Sequence, residues 1–490
     1  MRHAYLPILI PILALAILIA PLAASARNVS ESAPLSGDVQ AAGDQGAAAP
    51  KPSQDYEAMA RDVIARLAGR QFDKVHAQLA AQAAAALTAD KLGGAWDQIT
   101  GMAGSYKSVK DAQVSEVQGL HVVRMTCDFE SATVPATVGF DAEGKIAALR
   151  FGMPQTKTPW APPDYAHPDA FYEQPVTVGD DPHKLNGTLT LPKSKGPFAA
   201  VVLVQGSGPH DQDESIGPNK PFKDLAWGLA SNGIAALRYN KRTFQHPESF
   251  KGPYTVEQET VEDARAAVAL LAARPEVDPK RIYVAGHSLG AMLAPRIAQG
   301  NPQVAGIIIM AGNTRPLEDL IVEQVKYEVG LAGAPTPEGQ KAIDDAEKTA
   351  AAMRDPNLKA DQTVSILGAP VPGSYVLDLR AYDPAQTAVG LKIPILVMQG
   401  ARDCQVRIAD YEGWKKALAG DSLASFKLYP NLYHLFISVP PGDTTPLSSP
   451  ADYNQPGHVA PEVVADAAAW INGTPRSSSC RGGVPTAGGR

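Results

Sequence analysis

The stretch Arg281-Ile282-Tyr283-Val284-Ala285-Gly286-His287-Ser288-Leu289-Gly290 decides the fold. Its first five residues, rich in β-branched and aromatic side chains, read as a buried strand. From Ser288 to Ala298 the pattern turns helical. Between strand and helix stands Gly-x-Ser-x-Gly. Glycines two before and two after a serine remove Cβ atoms that would collide on a very tight turn, leaving the serine Oγ exposed at the end of a strand. The helix that follows aims its N-terminus at the same spot and favours negative charge developing there. Without its strand the five-residue pattern would be weak, and Ser288 only a helix cap; with it, Ser288 reads as a nucleophile.

Outward from Ser288, short apolar strands alternate with helices from about residue 171 to 473. Strands are expected around Val176 and Leu189, then at Ala199–Val204, Ile234–Tyr239, Val304–Met310, Ile395–Met398 and Phe426–Tyr429. Helices are expected at Phe222–Ala230 and Val256–Ala273. This alternation implies an α/β fold, a mostly parallel sheet with helices on both faces. Residues 313–391 interrupt it and are too long for one crossover. With helical patterns at Leu317–Val329 and Gln340–Met353, they are expected to form a helical cap insertion over the site.

A serine hydroxyl needs a base. In the α/β-hydrolase arrangement that the strand–turn–helix implies, the chain order is Ser, then acid, then His. Asp403 follows the strand that ends near Gln399, and His434 follows the next one. Three loops would then converge at one edge of the sheet, where open α/β folds bind ligands. His458 is the rival base, but it follows no strand. Asp378 and Asp383 are rival acids, but they lie in the insertion. An oxyanion hole would take one backbone N–H from Leu289 and another from Ser207, in the glycine-rich loop Gln205-Gly206-Ser207-Gly208-Pro209. Just beyond it, Asp211, Asp213 and Glu214 form an acidic cluster. It is expected to be solvated or structural, with Lys241 or Arg242 as partners, or else to meet a substrate amine. The reaction calls for no metal and no organic cofactor.

The remainder of the 490 residues leaves room for a second domain. Residues 55–154 read as a small α+β domain, helices first and then four strands. Residues 155–170 are a proline-rich connector. Arg2 and His3, an apolar run and Ala24-Ser25-Ala26 mark residues 1–26 as a signal peptide, so that an exported protein, periplasmic or secreted, is expected without stable membrane insertion after cleavage. Residues 27–54 are a flexible linker and 474–490 a disordered tail. The net charge of −7, with no basic stripe, speaks against nucleic acid as a partner. Cys127, Cys404 and Cys480 are too few and too scattered for a disulfide framework. Oligomeric state is not readable.

Taken together, Gly206-Ser207-Gly208-Pro209-His210-Asp211, Gly217-Pro218-Asn219-Lys220-Pro221-Phe222, Arg238-Tyr239-Asn240-Lys241-Arg242-Thr243, the Ser288 turn and Gln399-Gly400-Ala401-Arg402-Asp403 resemble bacterial two-domain carboxylesterases of the EstD type. In that family a small domain of unknown function precedes the hydrolase. The resemblance implies Ser288, Asp403 and His434 as triad and Ser207 and Leu289 at the oxyanion hole. The chain departs from the pattern at Ala291, Gln212, Asn240 and Cys404, none of which removes a catalytic group. Three functions stay open: an esterase for small-molecule esters, a peptidase using the same triad, and a non-catalytic protein bound to cell-envelope material.

Overall fold

A computed structural model describes residues 55–474, apart from 118, 153, 158, 332, 367 and 441. The segments read as signal peptide and linker, and the tail beyond 474, lie outside the described residues. The chain divides into two compact units after Pro154.

The first unit opens with α1 (Tyr56–Ala68), α2 (Phe72–His76), α3 (Ala81–Ala86) and α4 (Ala89–Ala103). Asp55 caps α1 by accepting from Ala58 N–H, and Thr88 caps α4 by accepting from Lys91 N–H. Ala60, Val63, Ile64 and Leu67 line the buried stripe of α1, the spacing of one helical face. Strands β1 (Tyr106–Val117), β2 (Leu120–Phe129), β3 (Ala132–Phe140) and β4 (Ile146–Phe151) form an antiparallel meander. Trp96, Phe129 and Phe140 pack with the α1 stripe in one core. Helices followed by four strands are what the sequence pattern predicts for this segment.

The second unit begins with a two-residue strand β5 (Gln155–Thr156), followed by β6 (Phe171–Val178) and β7 (Leu185–Pro192). Next come β8 (Phe198–Val204), α5 (Pro221–Ser231), β9 (Ala235–Tyr239), the short α6 (Arg242–Gln245) and α7 (Glu262–Ala272). A π-helical turn, Glu257–Val261, leads into α7 where one continuous helix is predicted. Then β10 (Val277–His287), α8 (Leu289–Ala298) and β11 (Val304–Met310) carry the quoted stretch. The eight main strands lie in the order β6-β7-β9-β8-β10-β11, followed by two later strands, β14 (Ile395–Gly400) and β15 (Ala424–Tyr429). From β9 onward neighbours are parallel, and only β6 and β7 are antiparallel to their neighbours.

Every residue of β8 and of β11 is buried, which is why both read as unbroken apolar runs. Alternate side chains of β8 enter different cores. Ala200, Val202 and Val204 join α7 and α8 on one face. Ala199, Val201 and Leu203 join α5 and α14 (Pro461–Gly473) on the other.

Between β11 and β14 lies the insertion. It holds α9 (Leu317–Gly330), α10 (Pro337–Arg354), α11 (Gly373–Ala381) and α12 (Pro384–Gly390). The sequence pattern predicts a helical insertion, and this is corrected in one respect. An antiparallel hairpin, β12 (Thr363–Ile366) with β13 (Ala369–Pro372), sits among the helices. Ile321, Val325, Ala346 and Met353 of α9 and α10 pack into the same core as α8. One further helix, α13 (Ile408–Ala417), links β14 to β15.

Candidate active site

Ser288 stands between β10 and α8 with φ 54° and ψ −117°, a left-handed backbone that costs a non-glycine residue roughly 1–3 kcal/mol. Its surroundings enforce this. A Cβ on Gly286 would run into the Gly290 carbonyl, and a Cβ on Gly290 into the carbonyls of Val204 and Gln205. The turn therefore closes onto the end of β8 as well as onto itself. Ser288 N–H donates to Met310 O at 2.9 Å, and the residue is partly exposed between buried neighbours.

Asp403 and His434 are brought together. His434 Nδ1 lies 2.7 Å from Asp403 Oδ2, and both residues are 1% exposed. Asp403 is held on every side. Its Oδ1 accepts from Gln405 N–H at 2.8 Å and Val406 N–H at 3.0 Å, and its Oδ2 also accepts from Gln399 Nε2 at 3.1 Å. The carboxylate thereby fixes the imidazole with Nδ1 protonated and Nε2 free to act as a base. Gly400, at the end of β14, admits the His434 loop closely: a Cβ there would strike the Leu432 carbonyl. Among the described residues Ser288 Oγ makes no hydrogen bond to His434.

The Gly206 loop lies against the serine. A Cβ on Gly206 would touch Ser288 Cβ at 3.1 Å and Glu214 Oε1 at 3.2 Å. Ser207 N–H and Leu289 N–H have no acceptor among the described residues, as donors reserved for a substrate oxygen require. The rest of the loop is pinned. Gly206 N–H donates to Glu214 Oε1 at 2.6 Å, Lys241 Nζ donates to Gly206 O at 2.7 Å, and His210 Nε2 lies 2.7 Å from Ser207 O.

The acidic cluster is structural: Asp213 and Glu214 are buried and Asp211 is partly exposed. Asp213 is buried against Arg238 and against Lys220 Nζ at 3.0 Å. Glu214 is 1% exposed and lies 3.1 Å, through Oε2, from His287 Nδ1, close enough for an ion pair though off the line of a straight hydrogen bond. Burial works against its charge, but His287, His210 and the Gly206 N–H together hold the carboxyl below its usual range. Burial likewise opposes charge on His287, yet Glu214 raises that imidazole above its ordinary pKa. Asp211 accepts from Asp213 N–H, Ser215 N–H and Ser215 Oγ within its own turn. The predicted partners are corrected too: Lys241 pairs with Glu259 at 3.0 Å, and Arg242 with Asp263 and Glu262. Nothing in the residue order announces that these charges are internal, since most of their partners come from β9, β10, the turn before α7 and α7 itself.

The rival groups are engaged elsewhere. His458 Nδ1 lies 3.1 Å from Asp224 Oδ1, whose hydrogen bond raises the His458 pKa. Asp378 pairs with Arg296, and Asp383 caps α12. Cys404 is buried and its thiol is pushed up to about 12, by burial first and by Asp403 second, so it is packed and inert. A cavity of about 670 Å³ between α9 and α10 is lined by Tyr327, Arg354 and Arg407 and contains none of the residues around Ser288.

A parallel sheet with this strand order, a serine on a left-handed turn after a central strand, and a buried His–Asp pair behind two later strands together define an α/β-hydrolase. A family described as "Serine aminopeptidase, S33" matches residues 196–438, and a "Protein of unknown function (DUF3887)" matches residues 60–149. Esterase EstD of Thermotoga maritima is 38% identical over 408 residues, spanning 83% of this chain and 93% of that protein. The chain belongs to the EstD family of two-domain α/β-hydrolases. Thiohydrolase apmlB of Arthrinium phaeospermum is 27% identical over 177 residues, spanning 34% of this chain and 54% of that protein. Among solved structures, the Pyrobaculum calidifontis esterase has a TM-score of 0.41 at 18% identity, covering 61% of this chain and 85% of that one.

Proposed function

We propose that the chain is a serine esterase that cleaves small carboxylic esters through Ser288, His434 and Asp403. The observation that carries it is the buried His434–Asp403 pair, which a surface histidine and a turn aspartate would not form. Substrate draws the Ser288 hydroxyl to His434 Nε2; such contacts are often long before substrate binds. Ser288 Oγ attacks the ester carbonyl carbon as His434 takes its proton, and Asp403 steadies the resulting imidazolium. The oxyanion lies on Ser207 N–H and Leu289 N–H. Collapse expels the alcohol, which receives the proton from His434 and leaves an acyl-Ser288. Water, deprotonated by His434, then releases the acid.

An ester is favoured over an N-terminal peptide because two of the three acids past the Gly206 loop, Asp213 and Glu214, are buried against internal cations and cannot meet a substrate ammonium. The name of the EstD relative points the same way. Short to medium acyl chains are the first substrates to test. Export to the periplasm or beyond is part of the proposal and rests on residues 1–26.

The test is a panel of acyl esters of increasing length beside aminoacyl amides, with a fluorophosphonate label mapped by peptide mass. Label on Ser288, ester turnover and its loss in Ser288→Ala are expected. Substantial turnover by Ser288→Ala would overturn the nucleophile, and faster amide than ester cleavage would overturn the substrate class.

A further inference from the structure

We infer that Lys241 is a positioning residue for the oxyanion site: its ammonium holds the Gly206–Ser207 peptide so that Ser207 N–H faces the reacting carbonyl. A buried chain through Glu259 to Tyr375 ties that peptide to the cap insertion. The inference rests on the oxyanion reading proposed above.

The geometry follows from one planar unit. Gly206 C=O and Ser207 N–H belong to the same trans peptide and point in opposite directions. Lys241 Nζ, 2.7 Å from Gly206 O, therefore sets the direction of Ser207 N–H. The flanking groups are fixed as well, Gly206 N–H on Glu214 and Ser207 O on His210. The Ser207 N–H is left as the donor of this segment without an acceptor among the described residues. A cation on the carbonyl oxygen also polarises the peptide and strengthens its N–H as a donor.

Lys241 is itself held. It is 2% exposed, its backbone N–H donates to His210 O at 3.0 Å, and its Nζ lies 3.0 Å from Glu259 Oε1. Glu259 sits on the π-helical turn before α7, a kind of irregularity found often at functional sites. Its other oxygen accepts from Tyr375 Oη at 2.7 Å, and Tyr375 belongs to α11 of the insertion. A lysine needed only for core stability would require its carboxylate partner; it would not require a second bond to the one peptide next to Ser288.

Kinetics on a short acyl ester and inhibition by a trifluoromethyl ketone, whose adduct with the serine carries an oxyanion, test this in Lys241→Met, Tyr375→Phe and Ser207→Pro. Lys241→Met is expected to lower kcat about 10- to 100-fold, below the 10²–10³ of deleting a donor outright, with KM within about twofold. Ketone affinity should fall by the same factor as kcat/KM. Tyr375→Phe should show a smaller loss of the same kind. Should Lys241→Met fail to fold, Glu259→Gln and Tyr375→Phe carry the same comparison. Wild-type kcat per fluorophosphonate-titrated site, with unchanged ketone affinity, in the folded variants would overturn the inference. Ser207→Pro removes the donor itself: if it retains full turnover the oxyanion reading falls, whereas an inactive Ser207→Pro beside a wild-type Lys241→Met overturns the role of Lys241 alone.

Discussion

His287 lies against His434, with Nε2 3.0 Å from the His434 carbonyl oxygen and the two rings 4.6 Å apart. On its other side Nδ1 faces Glu214 Oε2 at 3.1 Å. A ring that donates from Nε2 and faces a carboxylate from Nδ1 is best served by both protons, and Glu214 raises the imidazole's pKa in that direction. The His287–Glu214 pair spans three segments: the serine turn, the loop that carries His434, and the Gly206 loop.

Removing one member of this buried pair strands the other. Glu214→Gln or His287→Gln should lower stability by about 3–5 kcal/mol, read from urea unfolding midpoints. The two titrations set the pH window. His287 has a raised folded pKa, so its contribution is full below its ordinary 6.5 and is lost as pH rises through the raised value. Glu214 has a lowered one, so its contribution is present above its ordinary 4.5 and lost as pH falls through the lowered value. The gap between wild type and His287→Gln should therefore be widest near pH 4.5–6.5 and narrow on both sides. A gap that holds its full size from pH 6.5 to pH 9 would mean that His287 is neutral in the fold.

Asp403→Asn keeps the volume and tests the tautomer. The Asn oxygen would stay where Gln405 N–H and Val406 N–H both donate, which puts the amide NH2 at His434 Nδ1. Nδ1 must then accept, the ring proton moves to Nε2, and the base can no longer take the serine proton. A fall in kcat of about 10⁴ is expected, with a stability loss of about 1–3 kcal/mol because the new NH2 also faces Gln399 Nε2, which donated to Oδ2. Fluorophosphonate labelling of Ser288 should slow in parallel.

The backbone of Ser288 makes a prediction of opposite sign. At φ 54° and ψ −117° a glycine would rest without strain. Ser288→Gly should be inactive yet more stable than Ser288→Ala, by about 1–3 kcal/mol. Equal melting temperatures for the two would show that the turn relaxes when the hydroxyl is gone.

Much of this was readable from residue order because the signals were local. The β10–α8 turn needs two glycines at fixed spacing, the strand before Asp403 opens on the apolar run Ile395–Met398, and the strand before His434 shows Phe426 and Leu428 on either side of Lys427. What was not readable depended on distant partners. Lys241 and Glu214 are near in sequence and opposite in charge, yet Glu214 meets His287 and Lys241 meets Glu259. The hairpin β12–β13 escaped because its second strand is Ala369-Pro370-Val371-Pro372, and proline argues against a strand in the absence of context. Helix α13 carries Gly413 where a Cβ would collide with Thr314, a packing demand that weakens the helical signal.

Glu328 supplies the last prediction. It continues the stripe Glu318, Ile321, Val325, Glu328 that α9 turns inward, so a carboxyl follows two apolar side chains on the buried face. It is 8% exposed, and its Oε2 has no hydrogen-bond partner among the described residues. Burial pushes its pKa up to about 8. An acid with a raised folded pKa stabilises the fold fully below its ordinary 4.5, and the contribution is lost as pH rises toward 8, because the unfolded chain ionises first. Across that interval the wild type should lose at most about 1.4 kcal/mol of stability per pH unit through this one group. Glu328→Gln carries no titrating proton, so its urea midpoint should change less between pH 5 and pH 8, and it should overtake the wild type at the alkaline end. Parallel pH profiles for the two proteins would mean that Glu328 is ionised in the fold and that a bound water or cation satisfies it.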